Sequence, residues 1–148
     1  PKTKMKKHDL VEITQTAVNI FDKEKIVFSS DKAHVFHLLD KTQWIRVITN
    51  LVQNALQSVP KSRIPQIGIQ LKTEPNKTFL SVMDNGNGIP DQIKDKIFEP
   101  KFTTKTSGMG LGLGIVKSII ESHGGEIEYV SRKNKGTTFT ITLPQIEN

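Results

Sequence analysis

The 148-residue chain has no cysteine, which excludes disulfides and thiolate metal sites and suits a reducing cytoplasm. It has one Trp and one Tyr, a thin supply of rings for stacking nucleic-acid bases. No apolar run approaches the roughly 18–20 residues of a membrane span, and no basic-then-apolar signal segment opens the chain. His34, His37 and His123 are scattered without metal-ligand pairing, and no Ser/His/Asp set can be assembled from the sequence. Two phosphate-binding signatures are also missing. Leu113 stands where GxGxxG needs its third glycine, and no Gly-Lys-Ser/Thr exists for a Walker A loop.

What is present describes one α/β domain over residues 1–148, without repeats, beginning at Pro1 and therefore expected to be part of something longer. The net charge of +6 permits an anionic partner, either a nucleotide triphosphate or nucleic acid. The lysines are spread out apart from a cluster at Lys2–Lys7, so a solvated surface is the plainer reading.

"HDLVEITQTAVNIFDKEK" carries Leu10, Ile13, Ala17, Ile20 and Phe21 at helical spacing, with His8 at its entrance. "KIVFSS" and "HVFHLL" read as the two strands of a hairpin. A strong helix follows over 41–59, striped by Trp44, Val47, Ile48, Leu51, Ala55 and Val59, with Asp40 as N-cap and Pro60 as stop. "QIGIQLKT" and "TFLSVMD" alternate as paired strands, and a long loop with at most one short helix comes next. A helix ended by Gly124 and Gly125 and two last strands complete an order unlike an alternating βαβ series.

Four stretches can carry chemistry. Arg46, Asn50 and Asn54 share a helix face, where amide oxygens suit Mg²⁺ or simply edge the core. "DNGNGIP" puts Asp84 at a strand end, where a carboxylate can accept from an exocyclic amine; the alternative is an ordinary Asp-Asn-Gly turn. In "FEPKFTTK", Phe98 and Phe102 can anchor a loop while Lys101 or Lys105 reaches a phosphate, unless the loop is merely basic and solvated. "SGMGLGLG" leads Gly108, Gly110 and Gly112 into an apolar helix, whose N-terminus attracts anions. A flexible linker would not interleave Leu111, Leu113, Ile115 and Val116 with those glycines.

Together, in this order, the stretches resemble the catalytic ATP-binding domain of bacterial sensor histidine kinases, of the Bergerat-fold superfamily that includes gyrase B and heat-shock chaperone ATPases. "NLVQNA" matches the N box, "DNGNGIP" G1, "FEPKFTTK" the F box and "GMGLGLG" G2, while "GTTFTITLP" looks like the last strand. The resemblance implies a two-layer α/β sandwich, a mixed sheet of about five strands backing three helices, with an ATP lid. It implies ATP and Mg²⁺ as cofactors, Asn54 holding Mg²⁺ with Asn50 assisting, and Asn50, Asn54 and Lys105 as the catalytic set. Asp84 would bond the adenine amine, with Gly86, Gly88, Ile89 and Thr137 around it. Phe98, Lys101, Thr104 and Lys105 would come from the F box and lid. Gly108, Gly110, Leu111, Gly112 and Leu113 would bring N–H groups to the phosphates, and Gln57 would line the site.

The chain departs from the pattern at two points. Gln57 stands where many members carry a basic residue, which leaves charge neutralisation to the lid lysines. "HDLVE" looks like an acceptor box, but no Thr/Asn-Pro follows and His8 lies too close to Asn50, so the acceptor domain is expected to be absent. The implied partners are a dimerisation and phospho-acceptor domain, in a homodimeric full-length protein, and a response regulator. No nucleic acid and a cytoplasmic place, with any membrane tether outside this chain, are expected. Asn50 replaces the glutamate that polarises water in gyrase-like relatives, which favours a kinase. An ATP hydrolase or protein-serine kinase of the superfamily, and a basic nucleic-acid-binding module, are the alternatives.

Overall fold

The computed structural model describes residues 3–99 and 112–144. Strands β4 (Ile67–Glu74), β5 (Lys77–Met83) and β7 (Gly136–Pro144) each alternate, so one face of each is apolar. Ile67, Ile69, Leu71, Leu80, Val82, Phe139, Ile141 and Leu143 all point to one side and are buried. With β2 (Ile26–Ser30) and β6 (Glu126–Arg132) they form a sheet of order β2-β4-β5-β7-β6. Only the β2–β4 pair is parallel; the others are antiparallel.

Helices α1 (Leu10–Val18), α2 (Lys41–Ser58) and α3 (Leu113–Ser122) cover the apolar face, giving the two-layer sandwich expected. In α2 the predicted stripe is buried, joined by Val52, while Val59 caps the helix half-buried. Asp40 is the N-cap, its Oδ1 accepting from Gln43 N at 3.1 Å. Asp91–Ile93 is a single 3-10 turn in the loop after β5.

The predicted hairpin does not form. β2 joins the main sheet beside β4, whereas β3 (Phe36–Leu39) pairs antiparallel with β1 (Lys6–Asp9) in a separate two-stranded sheet. Polar clamps at the two ends of the 31–35 connection account for this. Asp31 Oδ2 accepts from Thr73 N at 2.9 Å, tying the start of the connection to β4, while Asp9 Oδ1 accepts from Val35 N at 3.0 Å, tying its end to β1.

The first helix is shorter than its apolar spacing suggests. His8 lies in β1, Asp9 caps the helix through Val11 N at 3.0 Å, and the helix ends at Val18. Beyond that end Ile20 is 65% exposed, outside the stripe to which its spacing assigned it. The turn after Asn19 carries it off the buried face.

Candidate nucleotide site

The site gathers where the C-terminal half of α2 meets the end of β5. Asn54 is 4% exposed, and its Nδ2 donates to Asn50 Oδ1 at 3.0 Å. That bond fixes the two amides relative to each other, one helical turn apart on the same face of α2. Arg46, predicted on the same stripe, lies in solvent and takes no part in the pair, and Gln57 is exposed one position before Ser58.

Gly112, the N-cap of α3, brings that helix onto the pair. Its φ of 58° is the left-handed conformation glycine tolerates, and a Cβ there would stand 3.1 Å from Asn50 Nδ2. Leu113 is fully buried and Val116 nearly so, which anchors α3 in the core directly behind that approach.

Asp84 follows β5. Its Oδ1 accepts from Gly86 N at 2.8 Å and from Thr137 N at 3.2 Å. Burial pushes its carboxyl above the ordinary carboxylate range, opposed by those two N–H groups and by the Ser58 hydroxyl. Oδ2 accepts from neither backbone group. A partly dehydrated carboxylate with acceptor capacity in reserve suits an amine donor.

The glycines of "DNGNGIP" are required here by chain packing against the protein itself. A Cβ on Gly86 would collide with Ser58, and Gly88, at φ 81°, would place a Cβ 2.6 Å from Arg132 O. Ser58 O also accepts from Asn87 N at 3.1 Å, so the turn docks on α2 four residues after Asn54. Ile89 is buried, its N donating to Ser131 Oγ at 2.7 Å; that hydroxyl pairs with Thr137 Oγ1 at 3.0 Å. Phe98 anchors the start of the following loop, its ring 6.0 Å from Tyr129 and 6.4 Å from Phe139. Pro100, Lys101, Phe102, Thr104, Lys105, Gly108, Gly110 and Leu111 lie outside the described residues.

Sequence reading missed four participants: Ser58, Arg63, Ser131 and Gly136. Ser58 continues the four-residue stripe of Asn50 and Asn54, the signal that could have found it. Gly136, at φ 124°, lies so close to Asp84 that a Cβ would collide with its carbonyl. The histidines do other work: His37 bonds Thr78 Oγ1 at 2.8 Å, and His123 Nε2 accepts from Asp40 N at 3.1 Å. Among the described residues no group of three or more His, Cys, Asp or Glu is placed to hold a metal, and no helix is long and apolar enough to cross a membrane.

Residues 39–147 match the family described as histidine kinase-, DNA gyrase B- and HSP90-like ATPase. The chain is 40% identical over 110 residues to the sensor protein TdiS of Thauera aromatica, covering 72% of this chain and 20% of that protein. It is 40% identical over 105 residues to the sensor histidine kinase ZraS of Escherichia coli K12, covering 71% and 22%. It thus spans about a fifth of the length of these relatives. Among solved structures, a nucleotide-free catalytic domain of the histidine kinase ThkA superposes with a TM-score of 0.84 at 34% identity, covering 96% of both chains. ThkA in complex with the response regulator TrrA superposes at 0.78 and 30% identity, covering 96% of this chain and 42% of ThkA.

Proposed function

We propose that this chain, which belongs to the histidine kinase-, DNA gyrase B- and HSP90-like ATPase family, binds Mg²⁺-ATP and presents its γ-phosphoryl group to a histidine on a separate dimerisation domain. The observation that carries the reading is Asp84: a carboxylate held by two N–H groups on one oxygen, short of water, and beside a turn docked on α2 one helical turn from the buried Asn54 and its partner Asn50.

The residues fit such a ligand. Asp84 Oδ2 would accept from the adenine amine, with Thr137 and Gly86 fixing its plane. Asn54 would offer its carbonyl oxygen to Mg²⁺, its amide locked by Asn50. The close approach at Gly112 would turn the N-terminus of α3, an electropositive end, toward the phosphates. Gly108, Gly110, Lys101 and Lys105 would complete that side and supply the charge Gln57 lacks. Bound Mg²⁺-ATP supplies an activated phosphoryl group; the chain contributes position and charge, without covalent chemistry of its own.

Asn50 favours transfer over hydrolysis. An amide is a poor general base, and here its oxygen already accepts from Asn54. The histidine-bearing domain, a response regulator like the one seen with ThkA, and a cytoplasmic setting with any membrane tether beyond this chain are parts of the same proposal.

Titration with ATP, with and without Mg²⁺, tests the reading. Affinity that depends on the metal and falls in Asp84→Asn is expected. Salt-sensitive DNA binding without ATP affinity would turn the reading to a nucleic-acid module. Rapid phosphate release without any acceptor would turn it to a hydrolase.

A further inference from the structure

We propose that Arg63 is a positioning residue that sets the preference for adenine, acting on Asp84 through a single peptide group. The inference rests on the reading of Asp84 as the acceptor for the base.

After α2 the chain turns at Pro60, whose carbonyl accepts from Arg63 N at 3.0 Å, and heads back toward β4. The Arg63 side chain leaves this loop for the turn after Asp84. Its Nη1 donates to Asn85 O and, at 3.1 Å, to Gly86 O. Asn85 answers from the other side: Oδ1 accepts from Gln66 N and Nδ2 donates to Ile64 O, both at 2.9 Å. Loop and turn are therefore clamped together by a guanidinium and a side-chain amide. Among the described residues, Arg63 is the one cation bonded to this turn.

Asn85 C=O and Gly86 N–H are two ends of one planar peptide group. Its oxygen receives the guanidinium, and its N–H donates to Asp84 Oδ1 at 2.8 Å. A cation on the oxygen polarises the group and strengthens the hydrogen bond its N–H gives. Arg63 thereby favours the ionised carboxylate without touching it. That is the form an exocyclic amine needs, since a carboxyl in this dehydrated place otherwise gains by keeping its proton.

The second bond, to Gly86 O, holds the turn where Gly86 lies flush against Ser58, and this fixes the direction of Oδ2. Other charges near the turn are balanced: Glu24 and Lys25 both border a cavity of about 420 Å³ that Asp84 and Asn85 also line.

A staple that only held the loop in place would affect every ligand alike. The relay predicts a loss confined to ligands that bear the amine. The test compares Arg63→Met with wild type in binding ATP and purine riboside triphosphate, which lacks the exocyclic amine, by calorimetric titration with Mg²⁺. The expected result is ATP weakened roughly tenfold, equivalent to about 1.4 kcal/mol, with purine riboside triphosphate unchanged.

Equal losses for the two nucleotides, or none for either, would overturn the inference. If Arg63→Met does not fold, Arg63→Lys reads the same comparison, keeping the charge while giving up the fork. A smaller loss for ATP alone is expected of it, and equal losses again overturn. Wild type that fails to bind ATP would instead sink the proposed function, so the two failures are distinct.

Discussion

The two ends of α2 each hold an aspartate, and opposite forces dominate their carboxyls. Asp40, at the N-terminal end, lies below the ordinary range because backbone hydrogen bonds outweigh its desolvation. Both of its oxygens accept backbone N–H groups, from Gln43 at 3.1 Å and Lys4 at 2.8 Å, and the helix dipole favours a negative charge there. Asp84, docked at the C-terminal end, gathers its backbone donors on one oxygen, and dehydration raises its pKa. A carboxylate with backbone donors on both oxygens serves the fold, whereas a desolvated one with its backbone donors gathered on a single oxygen is suited to a ligand.

Breaking the ligand-binding end through its backbone should have the largest effect. Gly136→Ala forces a side chain onto the Asp84 carbonyl at a φ of 124°, so at least about 3 kcal/mol of stability and all ATP binding should be lost together. Melting and titration of the variant check this. A stable Gly136→Ala that still binds ATP would mean the turn is not fixed by this contact. Asp84→Asn separates the two losses. It keeps the shape and the backbone partners, so ATP affinity should fall by about 1.5–3 kcal/mol while the fold survives. The same melting and titration measurements apply.

The element that carries Asn50 and Asn54 was legible because α2 repeats its apolar residues at helical spacing between a capping Asp40 and Pro60. Strand partners were not. Whether β2 pairs with β3 or β4 is decided by Asp31 and Asp9, whose contacts lie 42 and 26 residues away, beyond any local pattern. The glycines of the Asp84 turn were legible as a group, but the packing that requires them was not: a Cβ on Gly86 would meet Ser58 and one on Gly88 would meet Arg132, both distant in the sequence. Arg63 left no signal, because it binds carbonyl oxygens that every residue has.

At the other end of the helix, Asp40→Ala removes a cap and leaves two N–H groups without their acceptor. It should cost about 1–2 kcal/mol of stability at neutral pH while leaving ATP affinity unchanged, since Asp40 lies at the far end of α2. Thermal melting and ATP titration of this variant read both halves of the expectation.

The smallest effect is the sharpest contrast, because the two carboxylates carry opposite pH signatures. Asp40 has a lowered native pKa, so its contribution is present above the unfolded value near 3.8 and fades as pH falls through the native one. Asp84 has a raised native pKa. Below about pH 3.8 both of its states are protonated and nothing is lost; as pH rises to the native pKa the unfolded chain sheds its proton first, and stability drops. Asp84→Asn should therefore melt slightly higher than wild type at pH 7 and gain nothing in acid. Asp40→Asn should melt lower at pH 7, with its deficit shrinking in acid. Melting curves of both variants from pH 3 to pH 7 decide the matter. Parallel curves would mean that the two aspartates differ in position but not in electrostatic role.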